Sequence, residues 1–212
     1  MSIKISVIIP AYNCAKWISR SIRSILDQSF EDKDYEVIVV NDGSTDDLIQ
    51  VLNPYLNKIR LINRIENKGL PYSLNEGIYH SKGRFIIRLD SDDYVHYDYL
   101  KIPFMFLSMN PNLDAVALDY VKVDEKENVI SRHNCEIDPI GCGILFRHEH
   151  LVDLGFYNEK QKLHEEKELM ERFKKKYTLT RIQLPLYRYR DRAGSITKNI
   201  NLKKTYGDDF KT

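Results

Sequence analysis

The sequence predicts an α/β fold built on a mostly parallel central sheet flanked by helices. Three observations predict it. Short runs of β-branched residues, at 5–9 and 35–40, lack polar alternation and read as strands covered on both faces. Stretches with apolar residues at helical spacing separate those runs. Strand and helix then alternate through residue 93, the order that right-handed crossovers between parallel strands require.

Taken in order, residues 5–9 (Ile-Ser-Val-Ile-Ile) form the first strand, expected to end at Pro10. Residues 15–28 carry Trp17, Ile18, Ile22, Ile25 and Leu26 on one helical stripe. Residues 35–40 form the second strand and run into Asn41-Asp42-Gly43-Ser44. Ser44 is expected to cap a helix whose apolar positions are Leu48, Val51 and Leu52. A third strand covers 59–63. Leu70, Leu74 and Ile78 mark a third helix, with Gly83 as its expected close. Phe85, Ile86, Ile87 and Leu89 then make a fourth buried strand.

Beyond Asp93 the pattern loosens into a smaller, mixed half. Leu100, Phe104 and Leu107 suggest a helix over 97–109 despite Pro103. Residues 114–123 alternate like a strand, and 124–128 make a polar turn into a return strand. A short strand follows at 142–146, then a short helix at 147–153 stopped by Gly155. A stronger helix is expected at 164–176 and a strand rich in Arg and Tyr at 178–190. No repeat or linker composition divides the chain. The expectation is one domain over 1–212, with 1–93 and 94–212 as its functional halves.

Composition is that of an ordinary globular protein, with 42% hydrophobic and 30% charged residues among 212. No apolar run approaches the roughly 20 residues of a membrane span. The opening Met-Ser-Ile-Lys lacks a signal-peptide pattern. Cys14, Cys135 and Cys142 lack metal-ligand spacing, which points to a reduced, cytoplasmic setting. Charge is uneven: residues 114–171 hold 14 acidic and 7 basic side chains, whereas 173–212 hold 11 basic and 3 acidic. That basic tail suits peripheral contact with anionic lipid at the inner face of a membrane, although a solvated face is the commoner explanation. A nucleic-acid partner is not expected, and oligomeric state is not legible.

Several chemistries are excluded by missing motifs. Neither Gly-x-Gly-x-x-Gly nor Gly-x-x-x-x-Gly-Lys-Ser/Thr occurs, and there is no serine nucleophile elbow. His148 and His150 flank Glu149 and diverge on a short helix, so they read as surface residues. What remains is the end of the fourth strand. There an apolar run switches to Asp90-Ser91-Asp92-Asp93, three carboxylates in four residues. Ligands of open α/β sheets bind outside the carboxyl ends of the strands. Carboxylates crowded there call for a hard divalent cation, Mg²⁺ or Mn²⁺, carrying the phosphates of a nucleotide. On its own, Asp-x-Asp-Asp reads first as a solvated turn that merely ends a strand.

Five pieces in register change that balance. They are Ser6-Val-Ile-Ile-Pro-Ala-Tyr-Asn13, Val39-Val-Asn-Asp-Gly-Ser-Thr-Asp46, Asn67-Lys-Gly69 with Leu74-Asn75, Gly83 to Asp93, and Gly155-Phe156 with His164-Glu-Glu-Lys-Glu-Leu169 leading to Tyr189-Arg190-x-Arg192-x-x-Ser195-x-Thr197. Together they resemble family 2 glycosyltransferases over nearly the whole chain. The resemblance implies the GT-A fold, with a first half that binds a nucleotide-sugar and a second that binds a glycan or lipid-linked acceptor. It implies donor contacts at Pro10, Ala11, Tyr12, Asn13, Asp42, Gly69, Asp90 and Ser91. Within these, Tyr12 stacks on the base, Asp42 accepts the N–H of uracil, Gly69 lets backbone approach the nucleotide, and Asp90 lies near the ribose. Asp92 becomes the ligand of a Mn²⁺ or Mg²⁺ ion bridging to the diphosphate, and Asp93 acts through water or by orienting its neighbours.

Departures from the family pattern matter too. Leu74 stands where an Arg is usual, so a donor-phosphate contact is either lost or supplied by Lys68. Glu165-Glu166 replaces the usual Glu-Asp, and Arg190-x-Arg192 replaces Arg-x-His, which keeps positive charge near a leaving diphosphate. Glu166 is the expected general base, because 166, 169, 170 and 173 share one helical face and 165 lines up with Glu168 and Arg172 on the wetter side. The resemblance implies an inverting transfer from a UDP-sugar in polysaccharide or lipopolysaccharide synthesis. Processive synthases of the family carry Gln-x-x-Arg-Trp and membrane helices. Here the only tryptophan is Trp17, which favours single addition. A sugar-nucleotide-forming nucleotidyltransferase and a non-catalytic nucleotide-binding module are the alternatives.

Overall fold

Strand β1 (Ile5–Ala11) is buried along its whole length and pairs in parallel with two neighbours. They are β2 (Tyr35–Asp42) and, after helices α1 (Ala15–Leu26) and α2 (Leu48–Leu52), strand β3 (Arg60–Arg64) and helix α3 (Leu70–Tyr79), β4 (Phe85–Arg88). The computed structural model describes residues 2–161 and 163–192. The remaining elements are β5 (Tyr94–Val95), α4 (Lys101–Met109), β6 (Ala115–Val123), β7 (Val129–His133), β8 (Ile144–Arg147), α5 (His148–Leu154), α6 (Glu165–Lys174) and β9 (Leu179–Arg190). One sheet joins all the strands in the order β3-β2-β1-β4-β8-β6-β9-β5, with β7 paired to β6. The first half contributes a parallel set; β8 then runs antiparallel between β4 and β6, and β6 and β9 run parallel.

The alternation of side chains along a strand explains the two cores. Ile5, Val7 and Ile9 face α1, where they pack with Ile18, Ile22 and Ile25. Ile8 faces the opposite way and packs with Leu74 and Ile78 of α3, in a cluster that also takes Leu169 and Phe173 of α6. Each such fully buried side chain contributes about 1.5–3 kcal/mol of transfer free energy. Both faces are therefore covered, as a parallel sheet requires.

Several boundaries differ from the sequence reading. Pro10 lies inside β1, opposite Val40, because pairing with β4 has already ended at Ile8 and no ladder bond is needed on that side. Ser44 caps no helix. α2 starts only at Leu48, and the Ser44 hydroxyl accepts from Asn13 N–H at 3.0 Å instead. Gly83 does not close α3, which ends at Tyr79; it packs so tightly on Ser6 that an added Cβ would lie 2.4 Å from that backbone nitrogen. The strand over 115–123 does not alternate in burial, since both its faces are covered. Nor are the two histidines at the surface: His148 Nδ1 sits 3.0 Å from the Gly83 carbonyl, and His150 stacks on Tyr177 at 4.0 Å.

Candidate active site

The parallel strands set the place of the site. From β1 the chain winds outward to β2 and β3, then returns to the other side of β1 with β4. The order reverses between β1 and β4, and that switch point opens a crevice at the strands' carboxyl ends. Two segments enter it: residues 12–14 after β1 and residues 89–93 after β4.

The first segment is pinned by polar contacts. Asn13 adopts a left-handed φ of +47°, and its Oδ1 accepts from Thr45 N–H at 2.8 Å. Asp46 accepts from Ala15 N–H at 2.8 Å. Asn13 thus ties the β1 and β2 ends together, and Tyr12, 51% exposed, projects from the fastened loop. Pro10 and Ala11 are buried beneath it. At the end of β2, Asp42 is buried, and its two oxygens accept from the backbone N–H groups of Lys68 (2.9 Å) and Gly69 (2.8 Å). Gly69 has φ +99°, a conformation side chains resist, and it leads directly into α3. Arg64, 3.3 Å from Asp42, completes this corner.

The second segment carries the carboxylates, and each has a different partner. Asp90 is gripped by Arg88, with Nε–Oδ1 at 2.6 Å and Nη2–Oδ2 at 3.0 Å. Ser91 is buried beside Cys14. Asp92 Oδ2 receives Arg192 Nε at 2.6 Å. Asp93 is fully enclosed: Arg190 N–H donates to Oδ1 at 2.7 Å and the Tyr187 hydroxyl donates to Oδ2 at 2.7 Å. Burial, with Asp92 and Asp90 nearby, pushes the Asp93 carboxyl well up, and those two hydrogen bonds oppose the shift. Asp93 therefore orients its neighbours by fastening their loop to β9.

Arg190 has a different task from the diphosphate contact expected of it. It is 3% exposed and its guanidinium lies near the rings of Trp17 (4.7 Å) and Tyr94 (5.5 Å). Its Nε donates to the Asp92 carbonyl at 2.9 Å, Nη1 to the Glu125 carbonyl at 3.3 Å and Nη2 to Glu127 at 3.3 Å. Those contacts use the fork that a phosphate would need. Arg192, two residues on and just past the end of β9, is the arginine directed at Asp92.

The acid pair at the start of α6 also departs from its expected orientation. Glu165, not Glu166, shares the buried face with Leu169 and Phe173, at the spacing i, i+4, i+8. Glu165 is 6% exposed and takes Arg88 Nη1 at 3.0 Å. Burial raises its pKa although Arg88 opposes that. Glu166 is half-buried, with His164 Nδ1 3.8 Å away. The error came from the Met170 position, which is only partly buried and does not define the face.

Arg88 is the residue that sequence reasoning missed. Within an apolar strand it reads as an interruption, yet a buried arginine needs carboxylate partners. Asp90, two residues on and therefore on the same face, was the available signal.

For a cation, the residues divide clearly. Ligand atoms of Asp90, Asp93 and Cys142 come within 4.8 Å of one another. That trio suits a hard cation poorly, because Asp93 is enclosed with both oxygens already accepting hydrogen bonds, Asp90 is held by Arg88, and burial drives the Cys142 thiol well up. Asp92 fits better. It is half-buried, and among the described residues its ionic partner is the side chain of Arg192. A single carboxylate completed by substrate phosphates and water is the usual Mg²⁺-type arrangement.

A reversed parallel sheet with a carboxylate run at its switch point, faced by a second acid pair from the mixed half, defines a glycosyltransferase of the GT-A type. Comparison with known proteins agrees. The profile of glycosyl transferase family 2 matches residues 6–181, and the chain belongs to that family. Among similar proteins are the poly(ribitol-phosphate) β-N-acetylglucosaminyltransferase TarS of Staphylococcus aureus, 37% identical over 107 residues, and chondroitin synthase of Escherichia coli, 35% identical over 130 residues. These matches cover 49% and 60% of this chain but 19% and 18% of the relatives, so the chain spans about a fifth of their length. Among solved structures, S. aureus TarS 1–349 in complex with UDP-GlcNAc superposes with a TM-score of 0.80, at 23% identity, over 93% of this chain and 61% of that one. The mannosyltransferase PcManGT of Pyrobaculum calidifontis, in complex with GDP-Man and Mn²⁺, gives 0.72 at 19% identity, over 89% of this chain and 57% of that one. Among the described residues, no helix is long and apolar enough to cross a membrane. The basic tail beyond Arg192 lies outside the described residues.

Proposed function

We propose that this chain catalyses inverting transfer of a sugar from a UDP-sugar to a hydroxyl of a glycan or lipid-linked acceptor, in the synthesis of a cell-surface polysaccharide or lipopolysaccharide. The observation that carries the reading is the Asp90–Asp93 loop at the β1–β4 switch point, with a half-buried Asp92 at its tip. The relatives support the substrate class, since TarS is named as a poly(ribitol-phosphate) β-N-acetylglucosaminyltransferase and the other as a chondroitin synthase, and TarS was solved with UDP-GlcNAc.

In this reading Tyr12 stacks on the uracil and Asp42 accepts its N–H. Asp42 already accepts two backbone N–H groups, and a carboxylate offers about four lone-pair sites, so room for a third donor remains. Gly69 brings backbone close to the nucleotide, and Asp90 and Ser91 border the ribose. Asp92 would hold the divalent cation, Mn²⁺ or Mg²⁺, which when bound neutralises charge on the diphosphate. Arg192 adds a positive group there by turning from Asp92 to the phosphates. Glu166 takes the proton from the acceptor hydroxyl. Glu165 is committed to Arg88, whereas among the described residues no guanidinium pairs with Glu166.

Calorimetry tests the reading. UDP should bind with Mn²⁺ present, and Asp92→Ala should lose that binding while circular dichroism stays unchanged. Equal UDP affinity in the variant removes Asp92 from the site. Formation of a UDP-sugar from UTP and a sugar phosphate would replace the transferase reading with a nucleotidyltransferase.

A further inference from the structure

Among the described residues, the crevice contains a buried cation, Arg88, that none of the assigned roles uses. Arg88 enters from the last residue of β4 and is 9% exposed. Its guanidinium faces two carboxylates from different elements: Nε and Nη2 grip Asp90 of the donor loop, and Nη1 reaches Glu165 at the start of α6 at 3.0 Å. Some 77 residues separate Arg88 from Glu165 along the chain. The segment before β8 closes over this bridge. A Cβ on Gly141 would lie 2.8 Å from Arg88 Nη1 and 3.0 Å from the Glu166 Cβ, so only glycine fits there without displacing one of them.

We propose that Arg88 is a positioning residue that makes the two members of the acid pair unequal. By taking Glu165 as its ion-pair partner it fixes the first turn of α6 against the donor loop and leaves Glu166 as the carboxylate that faces the acceptor. The inference deepens the transferase reading and rests on it. Its physical basis is separate, because all three nitrogens of the guanidinium already donate to Asp90 and Glu165.

The electrostatic consequence has a sign. Glu166 is faced by His164 and Glu165 on its own turn, by Arg88 from β4 across Gly141, and by Tyr157 from the segment after α5. Removing the negative charge of Glu165 makes the Glu166 anion easier to form, and removing the positive charge of Arg88 makes it harder. Two substitutions that break the same ion pair therefore act in opposite directions. Loosened packing alone would not do that.

The test is a ¹³C-carboxyl NMR titration of Glu166 in the intact chain without ligand. Glu165→Gln, which still offers Arg88 an acceptor oxygen, should lower the Glu166 midpoint, and Arg88→Met should raise it. Arg88→Lys, which keeps the charge, should stay near wild type. Should Arg88→Met fail to fold, Glu165→Gln decides alone. A midpoint that is unmoved or raised in Glu165→Gln overturns the proposal. Wild-type protein that binds no UDP with Mn²⁺ would overturn the transferase reading, while the titration would still decide whether Arg88 sets the asymmetry of the pair.

Discussion

Removing one oxygen atom at Tyr187 tests how the carboxylate loop is held. The Tyr187 ring is fully buried, and its hydroxyl does two things: it donates to Asp93 Oδ2 at 2.7 Å and accepts from Asp90 N–H at 3.1 Å. Tyr187→Phe keeps the ring and removes both contacts. Losing a hydrogen bond to a charged partner costs about 1.5–3 kcal/mol, and an orphaned buried N–H costs about 1–3 kcal/mol. Because Asp90 is only partly buried, the lower half of each range applies, and the sum is about 3 kcal/mol near neutral pH. The cost should also depend on pH. Burial puts the folded-state pKa of Asp93 above its unfolded value, so the folded chain binds that proton more tightly. The contribution of Asp93 to stability therefore falls as pH rises from the ordinary carboxylate range through the raised value. The Tyr187 hydroxyl favours the charged form; without it the folded pKa rises further and the loss at neutral pH deepens. Urea denaturation of both proteins near pH 7 and near pH 4.5 measures the difference, with the midpoint shift converted through a common slope. A cost under about 1 kcal/mol at neutral pH, or one that grows on acidification, would refute this account of the loop.

Three further outcomes follow from the same contacts. Gly141→Ala places a methyl group against Arg88 and Glu166, so turnover should fall about 100-fold while UDP affinity changes little, as kinetics and calorimetry on one preparation would show. Asp42→Ala frees the Lys68 and Gly69 amides, so UDP affinity should drop about tenfold and its advantage over CDP should narrow in competition titrations. Burial pushes the Cys14 and Cys135 thiols up to about 12 and Cys142 well above its usual value, so iodoacetamide near pH 8 should leave all three unmodified in the native chain and label them in urea.

The first half of the fold was legible because its signals are local. Parallel strands buried on both faces leave continuous apolar runs, and the amphipathic stripe of α1 names its own inner face. The carboxylate loop was legible for the same reason, since an abrupt switch from apolar to acidic marks a strand's end. What the sequence did not disclose depends on contacts distant in the chain. Ser44 has the chemistry of a helix cap, but Asn13 claims it from 31 residues away. Arg190 has the chemistry of a phosphate ligand, but Trp17, Tyr94 and the 124–127 turn enclose it. The register of α6 turned on whether Glu165 or Glu166 faces inward, and the deciding group, Arg88, lies on another element. A periodic pattern finds a helix face but cannot see that a buried arginine waits opposite it.

The contacts that β9 makes with the donor loop also bear on how the protein is made. Asp93 is held by Tyr187 and Arg190, and the Asp92 carbonyl by Arg190 again, so donors about a hundred positions downstream shape the loop. On a ribosome, residues 1–93 emerge with their parallel strands complete but without the strand that fastens their acidic turn. Such distant pairings form late, because loop-closure entropy must be met before they contribute. A nascent chain arrested before Tyr187 would thus keep the Arg88 grip on Asp90 but hold Asp92 and Asp93 without their donors. Nucleotide binding would mature only when the end of β9 leaves the exit tunnel.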